Sequence, residues 1–112
     1  MFNFQPRRKT VVCQDGFAMS VQASEFHYCH PRESGISMNY SAVEVGFPSN
    51  KEELLMDWAE DVDEPTGTVY SYVPASVIIN VIDKHGGMVG GELPELDLTD
   101  YDEEEWWKIK KL

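Results

Sequence analysis

Basic residues are scarce in this chain: 9 Lys and Arg stand against 20 Asp and Glu, a formal net charge of -11 over 112 residues. Phosphate recognition needs cations, so the imbalance excludes direct binding to DNA or RNA as the expected activity. Cysteine is nearly absent. Cys13 and Cys29 alone are too few for the disulfide framework of a small secreted domain, which points to reduced thiols in a cytoplasm. The opening MFNFQPRRKT has no apolar stretch behind Arg7, Arg8 and Lys9, and no later run is long enough to span a bilayer; neither an export signal nor a membrane segment is read. A phosphate-cradling loop is missing too, because GGMVGG lacks both the lysine and the strand-to-helix setting that such a loop needs.

What the chain does contain is enough to fold. Hydrophobic residues make up 42% and aromatics 12%, too many for a disordered polymer and sufficient for one core in a domain of this length. The segments TVVC, QDG and FAMSVQA read as a β-hairpin. A three-residue loop pairs Cys13 with Phe17 and Val11 with Met19 and makes one uniformly apolar face, which places Gly16 in a left-handed bulged turn. Residues 24 to 37 break the alternation and carry Pro31, Ser34 and Gly35, the marks of a loop. A third strand is read over 39 to 47, with Val43, Val45 and Phe47 on one face, and TVYSYV as a fourth. Between them a helix is expected from about Asn50 to Asp61, with Leu54, Leu55, Trp58, Ala59 and Val62 on its apolar stripe and Glu52 and Glu53 in an acidic first turn. A second helix starts at Pro74, carries Val77, Ile78, Val81, Ile82 and His85 on one stripe, and is capped by Gly86.

The expected fold is therefore α+β: a small antiparallel sheet of about four strands with two packed helices over residues 1–87. An acidic C-terminal extension or short helix follows over 88–112, with GGMVGG read as a flexible joint. Thr99 with Asp102 resembles a capping box, and Glu104 with Lys108 is a helix-supporting pair.

Two constellations invite a chemical reading. Cys13, His27, Cys29 and His30 form a conceivable Cys2His2 zinc set, although no paired CxxC or HxxxH preorganises it and buried thiols are ordinary core residues. The same loop drawn as an enzyme would use Cys29 as nucleophile with His27 or His30 as base. Residues so close in sequence rarely aim at each other, and the surrounding field is negative. No catalytic role and no cofactor is expected. The second constellation is acidic: residues 52 to 64 and 92 to 105 hold Asp and Glu without one Lys or Arg. Glu53, Asp57, Glu60 and Asp61 fall opposite the apolar stripe of the first helix, and Asp102, Glu103, Glu104 and Glu105 lead into Trp106 and Trp107. Such acids usually serve solubility alone. Read as a site, carboxylates at helical spacing recur every ~6 Å, near the spacing of backbone phosphates, with the two indoles as anchors.

The segments VVCQDGFAMSVQAS, HYCHPRE, YSAVEVGFPS and TVYSYVP leading to VIDKHGG resemble a group of small uncharacterised bacteriophage- and prophage-encoded proteins, over roughly residues 10 to 87. Accessory phage proteins of this size and charge resemble anti-defence inhibitors of the anti-CRISPR and anti-restriction kinds, some of which mimic DNA. The resemblance implies a protein acting in the host cytoplasm on a protein partner with a basic surface, and it assigns no residue a role. The other reading is a small zinc-binding or structural phage module built on Cys13, His27, Cys29 and His30. Self-association is compatible with either.

Overall fold

The computed structural model describes residues 7–35 and 38–98. Among these residues it is an α+β fold: a five-stranded antiparallel sheet with one α-helix and one 3-10 helix. The strands are β1 (Val11–Cys13), β2 (Ala18–Gln22), β3 (Ala42–Gly46), β4 (Val69–Pro74) and β5 (Met88–Gly90), ordered β4-β3-β2-β1-β5 across the sheet. The 3-10 helix covers Glu53–Trp58, between β3 and β4, and α1 covers Ala75–Lys84.

The first hairpin has the register its apolar alternation dictates. Val11 opposes Met19, the Cys13 N–H donates to the Phe17 carbonyl at 2.8 Å, and Gly16 takes φ 94°. Asp15 Oδ1 accepts the Phe17 N–H, so the turn is tied by its own carboxylate. Helix α1 buries Val77, Ile78, Val81 and Ile82 against the sheet, and it ends in a Schellman motif. The Gly86 N–H reaches the Asp83 carbonyl and the Gly87 N–H reaches that of Ile82, with Gly86 left-handed at φ 89°. Pro74 is the N-cap, one position earlier than its place in the sequence reading, because it still closes β4 opposite Ala42.

Three expectations are corrected. The first concerns 50 to 61, where the chain forms a short 3-10 helix and no α-helix. Ala59 turns extended at φ -66°, ψ 132° and bridges to Tyr70, which stops the helix before Glu60. Val62, placed on the apolar stripe, is exposed. The second concerns GGMVGG: Met88–Gly90 is a strand on β1, pairing Val12 with Gly90 and Cys13 with Met88. Residues 92–97 stay on the body, since Leu93 and Leu96 pack on the core, Tyr40 N–H donates to the Glu95 carbonyl, and Asp97 N–H donates to that of Tyr40. The third is Phe47, which leaves the face of Val43 and Val45 at φ 49° and is exposed.

β4 has a bulge that its alternation hides. Val43 faces Val73 and Val45 faces Tyr70, so Ser71 and Tyr72 together oppose Glu44. The extra residue puts Tyr70 and Val73 both into the core and turns Tyr72 outward at φ 55°, its N–H donating to the Tyr28 carbonyl at 3.1 Å.

Candidate functional site

The acids between β3 and β4 stand on a frame held from several sides. Glu53, Asp57, Glu60, Asp61, Asp63 and Glu64 are all exposed. Beneath them, Leu55 is fully buried and Leu54, Met56, Trp58 and Ala59 pack on the core. Beyond the 3-10 helix, the Glu60 N–H donates to the Val69 carbonyl at 3.0 Å, the Asp61 N–H to Thr68 Oγ1 at 3.2 Å, and the Asp63 N–H to Asp61 Oδ1 at 3.0 Å. Asp61 thus spends one carboxylate oxygen on its own turn, while Glu53 meets Lys51 at 3.3 Å in an exposed pair of little energetic weight.

This arrangement changes the expected site. Glu53 and Asp57 are exposed as anticipated, but a 3-10 helix has three residues per turn, and Glu60 and Asp61 lie past its end. The four do not form one helical stripe with a regular repeat, so the match to phosphate spacing lapses. What persists is a dense, pinned group of carboxylates. The other expected site residues, Asp102, Glu103, Glu104, Glu105, Trp106 and Trp107, lie outside the described residues, as do Thr99 and Lys108.

Beside Glu53 and Asp57 a cleft of about 100 Å³ opens between the 3-10 helix and α1, lined by Leu54, Trp58, Pro74, Val77 and Asn80 as well as the two acids. Its walls are mostly apolar. Asn80 Nδ2 is buried and has no acceptor.

Glu52, expected with Glu53 in an acidic first turn, stands at the helix start as the N-cap, its Oε2 accepting the Leu54 N–H at 2.8 Å; what the sequence does not reveal is its burial, at 2% exposed. Lys84 Nζ lies 2.9 Å from its Oε1, and His85 Nε2 donates to the same oxygen at 2.7 Å. His85 Nδ1 donates to Asp15 Oδ2 at 2.6 Å, and the ring stacks on Phe17 with centroids 4.1 Å apart and planes 12° from parallel. A neutral imidazole donates from one nitrogen only, so two carboxylate acceptors select the imidazolium. Burial opposes that charge, but the hydrogen bonds and charges of Asp15 and Glu52 outweigh it and hold the His85 pKa above its ordinary value. Burial likewise works against the Glu52 carboxylate and is outweighed by the Leu54 N–H, Lys84 and His85, leaving its pKa lowered. With both nitrogens occupied, His85 has none free to take a substrate proton. The cluster is a clamp joining the hairpin turn, the 3-10 helix and the end of α1.

The signs set a pH profile. His85, raised on folding, contributes stability in full below about pH 6.5, the unfolded value, and loses it as pH rises through the higher folded value. Glu52, lowered on folding, contributes above about pH 4.3 and loses it as pH falls through the depressed folded value. The melting temperature should therefore decline on both sides of a mildly acidic to neutral maximum. His85→Gln should flatten the alkaline decline, and an unchanged alkaline arm in that variant would refute the assignment.

The Cys13, His27, Cys29 and His30 set does not converge. Among the described residues no three His, Cys, Asp or Glu side chains are grouped to hold a metal ion. Cys29 Sγ donates to the Ser24 carbonyl at 3.1 Å, His27 Nδ1 lies 2.6 Å from Ser24 Oγ, and His30 Nδ1 lies 3.1 Å from Ser41 Oγ. Burial pushes both thiols up and His27 down, which suits a packed thiol and a neutral imidazole in place of a thiolate and its base. The loop instead displays aromatics: Phe26 is 73% exposed, and Tyr28 sits 6.0 Å from Tyr72 with the Arg32 guanidinium 5.3 Å from its ring centre.

Comparison with protein-family models, with curated proteins and with solved structures gave no match, so the α+β class and the side chains above carry the functional reading. Among the described residues no helix is long and apolar enough to cross a membrane.

Proposed function

We propose that this chain is a non-catalytic binding protein that covers a basic, nucleic-acid-binding surface of a protein partner. The observation that carries this is the group of six exposed carboxylates from Glu53 to Glu64 on a backbone pinned to β4. Charges carried on a fixed backbone lose less entropy on meeting Lys and Arg than charges on a mobile loop, and a field of one sign speeds encounter with an opposite one. On the resemblance to phage accessory proteins, the proposed partner is a host defence complex and the proposed action is stoichiometric inhibition. Asp102 to Glu105, Trp106 and Trp107 are assigned to the same interface on their sequence alone.

The test is a variant carrying Glu53→Gln, Asp57→Asn, Glu60→Gln and Asp61→Asn, titrated against the partner captured from bacterial lysate. At least tenfold weaker binding with an unchanged melt is expected, since carboxylates desolvated against cations cost about 2 kcal/mol or more each when removed, and those at a rim less. The parent's binding should also weaken as salt rises. Affinity within about threefold of the parent, or binding indifferent to salt, would reduce the acids to solvated decoration.

A further inference from the structure

The acids are not equivalent, because Glu53 and Asp57 line a cleft with apolar walls. Glu53 and Asp57 flank the opening whose walls are Leu54, Trp58, Pro74 and Val77, and Asn80 contributes an amide whose Nδ2 has no acceptor. A carboxylate pair on solvent asks only for charge. A carboxylate pair over an apolar slot asks for a group that is apolar along its length and cationic at its tip. Two side chains have that form, and the indole of Trp58 decides between them, since a planar guanidinium both stacks on an aromatic face and bonds a carboxylate through two parallel N–H groups.

Resting on the reading that the partner surface is basic, we infer that this cleft receives one arginine side chain of the partner. Its three methylenes lie against Leu54, Pro74 and Val77, and its guanidinium stacks on the Trp58 indole while meeting Glu53 and Asp57. The space suffices: an enclosed cavity of about 150 Å³ holds a benzene molecule, and an open cleft of about 100 Å³ holds a chain of three methylenes. Asn80 supplies what a lone salt bridge lacks. Its buried donor has an unmet hydrogen bond, and a turn of the amide towards the opening offers Nδ2 to the arginine's own backbone carbonyl. The cleft then reads stem, charge and backbone together, while Glu60, Asp61, Asp63 and Glu64 add only long-range attraction.

The experiment is a titration of the ¹⁵N-labelled full chain with N-acetyl-arginine amide, followed by NMR. Methylguanidinium serves as the head without the stem, N-acetyl-norleucine amide as the stem without the head, and decaarginine as the test of the broader reading. Saturable shifts are expected at the Trp58 indole N–H, the Leu54 and Val77 amides and the Asn80 side chain. Each partial probe should bind at least fivefold more weakly, and the Glu53→Gln, Asp57→Asn double variant should weaken arginine amide at least fivefold. Shifts spread over Glu60 to Glu64 with none centred on the cleft would overturn the pocket while decaarginine binding left the basic-partner reading standing. Norleucine amide binding as well as arginine amide would also overturn it, by showing that the slot ignores charge. Decaarginine failing to bind at low salt would remove the pocket and the broader reading at once.

Discussion

Replacing Glu52 with Gln should lower the melting temperature at neutral pH by about 10 °C, corresponding to about 2–3 kcal/mol in a domain of this size. Glu52 is the convergence point of three donors: the Leu54 N–H, Lys84 and His85. A glutamine keeps the volume, and its carbonyl oxygen can still accept from Leu54, but its NH2 group then faces Lys84 and His85, so donors oppose donors. Half-exposed Lys84 can turn to water; His85, held between Phe17 and the protein, cannot do so as freely. That difference keeps the expected loss at or below the low end of the usual figure for breaking a buried charge pair, about 3–5 kcal/mol. Glu53→Gln one residue on, at an exposed site, should change stability by no more than about 0.5 kcal/mol. Thermal denaturation of both variants, with His85 followed by NMR, checks the pair. The His85 pKa should fall in Glu52→Gln and stay in Glu53→Gln, and equal melting temperatures for the two would show that the clamp stabilises nothing.

Gly91→Ala should be as damaging, for a steric reason. Gly91 has φ 94°, and a Cβ there would stand 2.1 Å from the Thr10 carbonyl oxygen and 2.6 Å from Val11 Cα. Both are backbone atoms, so no side chain can swing aside; β5 must move off β1 or the Thr10 peptide must shift. Gly16 has the same φ of 94° with nothing within 4 Å of its Cβ position, and it isolates the dihedral cost. Gly16→Ala should lose about 1–2 kcal/mol, and Gly91→Ala about 2–4 kcal/mol, the ceiling being the cost of peeling β5 and its continuation from the body. Native-state hydrogen exchange separates the two: the Glu92 amide, bonded to the Lys9 carbonyl, and the Gln14 amide, bonded to that of Gly87, should lose protection in Gly91→Ala. Equal losses in the two alanine variants would mean that β5 tolerates the methyl group and is loosely held.

Where local rules and packing agree, the sequence is readable. Asp15 and Gly16 demand a turn, and the alternation of Phe17, Met19 and Val21 permits one register, so the hairpin could be derived to the residue. The stripe of α1 and its Gly86 cap were legible for the same reason. The 3-10 helix was not, because Leu54, Leu55 and Trp58 fit an α-helical stripe equally well, and only the pairing of Ala59 with Tyr70, a tertiary event, ends it early. β5 escaped notice because glycine is poor in strands and GGMVGG lacks alternation; its place comes from β1 offering an open edge. Of the site, the acids were visible by composition, but the cleft beside Glu53 and Asp57 needs α1 to supply Val77 and Asn80. Nothing local distinguishes Glu52 from Glu53. The partners that bury one of them, Lys84 and His85, lie more than thirty positions away.

The pairing of Val12 with Gly90 also sets an order of events in the cell. The β1–β2 hairpin closes through a turn of three residues, whereas the other side of β1 waits for a segment made far later. At synthesis rates of about 5–20 residues per second, about 4–15 s separate the appearance of β1 from that of β5. Throughout that interval the nascent chain presents an open sheet edge, and the entropy of closing so long a loop opposes an early closure. A chaperone that recognises extended backbone would find its window there, before Gly91 settles against Thr10 and closes it.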